Sequence, residues 1–497
     1  MIELIERAGR FRDRVAVRSD GIDYSYRQLL EISGNIALQL LDREEDLNES
    51  RIAFLVPAGF DYVCIQWGIW RAGGIAVPLC EKHPAESLQY VIDDARVSGV
   101  IYSGEFESLI SPLRNLPEGG VFRSEEFTQQ QGRLPDITPD RRAMILYTSG
   151  TTGSPKGVVS THLNIQTQIT SLTTSWEWEP GDHVLNVLPL HHVHGIINVL
   201  SCALWSGACC EFLPRFDAGK VFGIFSRGEV NVFMAVPTIY FKLIAHWKQL
   251  PGEEQRRVSE SMKRFRLMVS GSAALPVSVF EEWEKISGHV LLERYGMTEM
   301  GMAISNPYRG ERKPGFIGQP LPGVEIRLAD ERNVAVDPGT PGEIQIKGAN
   351  VFKEYWNKPA ETADAFTPDG WFRSGDIAVF EEGSFKILGR NSVDIIKSGG
   401  YKISALEIEE VLRTNPGIRD CAVVGIPDLE WGEVIGASLV PESAELDIEA
   451  LKAWLLEKLP SYKVPRKYLI QDDLPRNVLG KVTKHELKSV FTNLPQP

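Results

Sequence analysis

Several short stretches of this chain carry side chains suited to phosphate chemistry, and one is unusually dense. Tyr147-Thr-Ser-Gly-Thr-Thr-Gly-Ser-Pro-Lys-Gly157 puts five Ser/Thr hydroxyls, three glycines and one lysine into eleven residues. Glycines let backbone N–H groups approach a ligand, clustered hydroxyls donate hydrogen bonds, and Lys156 adds a mobile point charge. That mixture suits a polyphosphate. It is not a Walker A loop, because no Gly-Lys-Ser/Thr follows a Gly at the required spacing, so an ordinary P-loop NTPase is disfavoured. The plain alternative is a flexible surface loop.

Other candidate groups lie further along the chain. His191, His192 and His194 fall within four residues. No acid or cysteine at ligand spacing accompanies them, so packed, hydrogen-bonded histidines are favoured over a metal. Gly271, Ser272 and Ala273 end an apolar run, where small residues let a flat ring lie against the backbone, as adenine would. A simple strand-to-helix turn, with Pro276 in the first helical turn, is the alternative. Arg294, Tyr295, Thr298 and Glu299 fall within six residues. Asp376 follows a Ser-Gly turn and could accept two hydroxyl protons or serve only as a turn residue. Lys481, taken alone, would be a solvated charge.

The elements that must position these groups are legible as alternating patterns. Tyr24 to Glu31 starts a helix with Ser25 as N-cap. Arg51–Val56 reads as a strand, Asp61–Gly73 as an apolar helix and Ile75–Leu79 as a strand, with further strands at Gly99–Tyr102, Ala143–Tyr147 and Val232–Pro237. Strand–helix–strand at this spacing implies a parallel sheet covered by helices. Val324–Leu328 and Gly342–Gly348 read as antiparallel strands of a small β-rich unit, about 315–389. Helices at Ala405–Thr414 and Leu451–Leu459 and a strand at Asp420–Gly425 describe a small α+β domain from 390 to 497. The expected fold is therefore α/β: a large domain, 1–389, of parallel sheets flanked by helices, followed by a small mobile lid.

Composition bounds the function. The 497 residues are 43% hydrophobic and 24% charged, with a net charge of −13. The acidic balance argues against broad nucleic-acid binding but permits a local basic pocket. Six cysteines without C-x-x-C spacing fit a reducing compartment. The acid-bearing N-terminal residues look like neither a secretory nor a transit signal, which points to the cytoplasm. No membrane span is evident. The expected assembly is a monomer or weak dimer.

The order Tyr-Thr-Ser-Gly-Thr-Thr-Gly-x-Pro-Lys-Gly resembles the phosphate-binding signature of the adenylate-forming superfamily of acyl-CoA synthetases, adenylation domains and luciferases. With the other motifs, the resemblance spans roughly Tyr24 to Lys484. It implies ATP, Mg²⁺ and coenzyme A as cofactors. Thr148, Ser149, Gly150, Thr151, Thr152 and Lys156 would hold the β- and γ-phosphates, and Gly271, Ser272 and Ala273 the purine. Tyr295 would cover adenine, Thr298 stand near the α-phosphate and Glu299 bind Mg²⁺. Asp376 and Arg390 would reach ribose, and Lys481 would serve adenylation. His192 matches the histidine beside the acyl pocket, and His194 is an extra one. Rotation near 390–394 would bring Gly399, Gly400 and Tyr401 toward the thiol tunnel. The family usually has Asp or Lys two residues after Arg390; Ser392 stands there, and Asp394 comes later.

Glu293-Arg294 before Tyr-Gly-Met-Thr-Glu, the His-His-Val-His-Gly run and the stretch from Gly389 to Lys402 together resemble malonyl-CoA synthetases. A guanidinium can pair bidentately with a second carboxylate. Alternatively, Arg294 pairs with a neighbouring acid and only shapes the pocket. The implied reaction joins a small dicarboxylic acid, malonate or methylmalonate, to CoA through an acyl-adenylate, releasing AMP and pyrophosphate. Short, medium or aromatic acyl-CoA ligation, loading of a phosphopantetheine carrier protein, and a non-catalytic nucleotide-binding module are the alternatives. The joint presence of Lys156, Glu299, Asp376 and Lys481 speaks against the last.

Overall fold

Ser25 and Gln28 set the first helix boundary. Ser25 Oγ accepts from the Gln28 N–H at 3.2 Å, while Gln28 Oε1 accepts from the Ser25 N–H at 2.8 Å. This capping box starts the helix Tyr26–Leu41, as expected. The computed structural model describes residues 2–114, 116–117, 120–148, 155–391, 393–399, 401–443, 446–476 and 482–493. Ser149, Gly150, Thr151, Thr152, Ser392, Gly400 and Lys481 lie outside the described residues.

Two sheets dominate the large domain. Leu292–Met297, Leu267–Ser270, Val232–Ala235, His183–Asn186, Cys209–Phe212 and Val15–Ser19 run parallel in that order, with antiparallel strands at both edges. In the second sheet Arg142–Thr148, Ile75–Pro78, Arg51–Leu55, Gly99–Tyr102 and Val121–Arg123 are parallel. Strands such as Val232–Ala235 and Ile75–Pro78 are buried at every position, which is what continuous apolar runs signal in a parallel sheet covered on both faces. Helices supply the cover. Phe60–Arg71 buries Trp67 and Trp70 almost completely.

The hydroxyl-rich loop joins two antiparallel strands, Arg142–Thr148 and Lys156–Thr161, with Thr148 opposite Lys156. Four antiparallel strands, Val324–Ala329, Gly342–Gly348, Phe372–Glu381 and Ser384–Arg390, form the β-rich unit. The next strand, Ile395–Ser398, belongs to the last sheet, which also holds Tyr401–Ser404, Ile418–Asp428, Gly432–Pro441 and Lys467–Ile470. That sheet and its helices bury their own apolar cluster around Ile408, Leu412, Val423 and Leu455.

Several boundaries differ from expectation by a few residues, as in the strand Ile418–Asp428, expected at Asp420–Gly425, and two differences fall at helix starts. Pro276 stands before the helix Val277–Ser287 with extended backbone, not inside its first turn. The helix expected at Leu451–Leu459 runs Ile448–Leu456 instead, because the Asp447 side chain accepts from the Glu449 and Ala450 N–H groups and fixes an earlier start. Among the described residues, no helix is long and apolar enough to cross a membrane.

Candidate active site

Parallel strands end together at one edge of a sheet, and ligands of α/β folds bind beyond their carboxyl ends. Here Leu267–Ser270 delivers Gly271 and Ser272 to that edge, and Leu292–Met297 carries Arg294 and Tyr295 beside them. The loop after His183–Asn186 leads to the histidines and then to a π-helix, His194–Ser201. Successive strand side chains point to opposite faces. Glu293 and Arg294 therefore diverge. The Gly315 N–H donates to Glu293 Oε1 at 3.3 Å, whereas Arg294 Nη2 donates to Ser272 Oγ at 3.3 Å.

Arg294 is 4% exposed, and its guanidinium lies against Gly271. A Cβ at Gly271 would fall 2.4 Å from Arg294 Cζ and Nη1, so only glycine leaves room for it. Burial lowers the Arg294 pKa to about 9, which leaves it cationic at neutral pH. Its Nε and Nη1 have no hydrogen-bond partner, and no acid among the described residues pairs with it. A buried, unpaired charge destabilises a fold by several kcal/mol, on the order expected from desolvation. An anion is the natural complement. His194 adjoins the same group: its Nδ1 lies 3.2 Å from Ser272 Oγ. His192, the histidine singled out by motif, packs against His191 with ring centroids 4.2 Å apart.

A second cluster joins Tyr295, Asp376 and Arg390. The Tyr295 hydroxyl donates to Asp376 Oδ2 at 2.6 Å, and Arg390 Nε lies 3.2 Å from Oδ1. Asp376 and Arg390 face each other across adjacent strands. Burial raises the Asp376 carboxyl, and Arg390 opposes that shift. Ser374 accepts from the Asp376 N–H at 3.1 Å and donates to the Ile344 carbonyl at 2.7 Å.

A third cluster holds Glu299 and Lys156. The Tyr355 hydroxyl donates to Glu299 Oε1 at 2.9 Å, and Lys156 Nζ lies 5.1 Å from the Tyr355 ring centroid. Burial raises the Glu299 carboxyl against the pull of Arg390 and Lys156. Tyr355 carries no local motif; only its long-range contact reveals it.

Other expected residues stand apart from these clusters. Thr148 ends its strand and Thr298 is half-buried in the turn after Met297. Ala273 is exposed. Gly399 has φ +58° and abuts the Trp431 ring, and Tyr401 stacks on Tyr462 at 4.6 Å, 56% exposed. The histidine run forms no metal-ligand group among the described residues. The group that does, His183, Glu211 and Glu229, already has its carboxylates paired by Arg227 and Arg18.

Residues 4–356 match the AMP-binding enzyme family, and residues 407–481 match the AMP-binding enzyme C-terminal domain. The chain belongs to the AMP-binding enzymes. Among members of this family, it is 45% identical to a mitochondrial malonate–CoA ligase of Bos taurus, over 97% of this chain and 89% of that one. It is similar to the solved ATP-bound MatB of Rhodopseudomonas palustris, with TM-score 0.90, 32% identity and full coverage of both chains. A malonyl-CoA ligase in a ternary product complex with methylmalonyl-CoA and AMP gives TM-score 0.69 at 33% identity, covering 96% of this chain and 100% of that one.

Glu293 offers a test of the local electrostatics. Burial pushes its carboxyl up to about 8, with the nearby Glu410 adding to the shift. Between the unfolded value of about 4.3 and this raised value, the folded state binds the extra proton, so stability falls as pH rises through that window. Glu293→Gln keeps an acceptor for the Gly315 N–H and removes the titration. Its unfolding midpoint is expected to exceed wild type by about 2–4 °C at pH 9, with the gain vanishing toward pH 5. A gain independent of pH would contradict this account.

Proposed function

We propose that this AMP-binding enzyme is an ATP-dependent ligase that converts malonate to malonyl-CoA through a malonyl-adenylate, with methylmalonate as the nearest alternative substrate. The observation that carries this reading is the buried Arg294 side chain, with two unbonded nitrogen sites and no acidic partner among the described residues. Malonate has one carboxylate to attack the α-phosphorus and a second, one methylene away, to meet the guanidinium. The malonate–CoA ligase relatives support the same reading.

The chain's own groups fit the first half-reaction. Lys156 supplies positive charge for the β- and γ-phosphates, and preorganised charge of this kind stabilises a phosphoryl transition state. Tyr295, held by Asp376, offers a ring to the purine, while Asp376 and Arg390 face the ribose. Glu299 fits a magnesium ion, since Mg²⁺ takes one or two carboxylates together with phosphate oxygens and water. When bound there, the ion would neutralise phosphate charge, and the Tyr355 hydroxyl would orient the carboxylate that holds it.

The small domain is proposed to turn between half-reactions and present the Gly399–Tyr401 edge to the CoA thiol. At nearly equal identity, the chain overlays better on the ATP-bound relative than on the product complex, which supports a lid set for adenylation. In this arrangement Glu410 of the lid helix Ala405–Arg413 accepts from the Val277 N–H of the large domain at 3.2 Å.

An ATP–pyrophosphate exchange screen over malonate, methylmalonate, succinate, butyrate and benzoate tests the substrate. Malonate is expected to give the highest kcat/KM. Preference for butyrate or benzoate would refute the dicarboxylate reading. Thioester formation with free CoA, compared with a holo carrier protein, then decides the acceptor, for which free CoA is proposed.

A further inference from the structure

Ser272 is held at φ +69°, a backbone conformation that strains most side chains other than glycine and asparagine. Its hydroxyl stands between two groups, with Arg294 Nη2 at 3.3 Å and His194 Nδ1 at 3.2 Å. A guanidinium can only donate, and a hydroxyl has one proton to give. The Ser272 oxygen therefore accepts from Arg294, and among the described residues His194 Nδ1 is the acceptor in reach of its proton, an arrangement that leaves the other ring nitrogen to carry the imidazole hydrogen. Burial beside Arg294 holds His194 well below its usual range and hence neutral. In that arrangement the ring proton sits on Nε2, an atom that is buried without a hydrogen-bond partner. Nε and Nη1 of Arg294 are buried and unpartnered as well. So arranged, the cluster turns several N–H donors inward.

We propose that Ser272 is a specificity-positioning residue whose hydroxyl relays a hydrogen bond from Arg294 to His194, fixing the Nε2–H tautomer so that a neutral donor stands beside the charged one for the far carboxylate of a short dicarboxylic acid. A carboxylate has about four acceptor sites, more than one guanidinium edge fills. His194 satisfies a remaining lone pair without burying a second positive charge. The proposal rests on the dicarboxylate reading.

Two variants separate hydroxyl from backbone. Ser272→Gly accepts the positive φ and deletes the hydroxyl. Ser272→Asn tolerates the same backbone and can still accept from Arg294 and donate to His194. Malonate kcat/KM is expected to fall about 10–100-fold in Ser272→Gly, mainly through KM, and at least about tenfold more than butyrate kcat/KM, with Ser272→Asn partly recovering malonate. The ¹⁵N spectrum of the imidazoles, with His194 assigned by its loss in His194→Gln, is expected to show Nδ1 unprotonated in the wild type. Undiminished malonate activity in Ser272→Gly, an equal loss for both acids, or a protonated Nδ1 would each overturn the relay. Wild-type preference for butyrate would sink the dicarboxylate reading and the carboxylate role of His194, while the tautomer signal still decides the relay by itself.

Discussion

Arg294→Met is expected to lower kcat/KM for malonate by about 10³–10⁴-fold while sparing or improving propionate and butyrate. The reason is asymmetric. In the wild type, a monocarboxylate leaves the buried guanidinium without its complement; in the variant, malonate must bury a carboxylate against a thioether. Methionine approximates the length of the stem that covers Gly271, so the site loses charge more than volume. The measurement is kcat/KM for malonate and butyrate in both proteins. A parallel loss for the two acids would make Arg294 a structural residue and end the argument for a dicarboxylate.

Lys481→Ala is expected to reduce adenylate formation by at least about 10²–10³-fold, read as ATP–pyrophosphate exchange, while chemically made malonyl-AMP still reacts with CoA. Lys481 lies outside the described residues, but the chain on either side of it is anchored in the lid. The Thr483 N–H donates to the Pro475 carbonyl at 2.8 Å, and Arg476 bridges to Val482. Lys484 is buried, with its Nζ 2.6 Å from both Asp394 and Glu409. Removing the Lys481 side chain leaves these ties intact, so thermal stability is expected to match wild type. Equal loss in both half-reactions would assign Lys481 to folding or to both steps.

Much of this was readable locally. The Ser25 capping box, the strand Gly342–Gly348 and the apolar runs of the parallel sheets follow from patterns within a few residues, and the structure reproduces them. The contacts that decide chemistry are of another kind. Tyr355 meets Glu299 across 56 positions, and Tyr295 meets Asp376 across 81. Nothing within either segment encodes the meeting. That His194, the first residue of a π-helix, meets Arg294 through Ser272 is likewise a contact made only in three dimensions. That Glu293 does not neutralise Arg294 follows from strand alternation once Leu292–Met297 is known to be a strand. The sequence motif Glu-Arg-Tyr-Gly allowed a pair; the pleat forbids it.

The guanidinium lying on a bare backbone also constrains the history open to such a pocket. An arginine arriving at position 294 while position 271 held alanine would drive its Cζ into a methyl group 2.4 Å away. The glycine could come first at little functional loss, but the arginine could not. Once both are present, any larger residue at 271 expels the arginine, so the pair behaves as a ratchet. Lineages leaving dicarboxylate chemistry are free to surrender the arginine before the glycine, whereas lineages acquiring it must travel the same two steps in the opposite order.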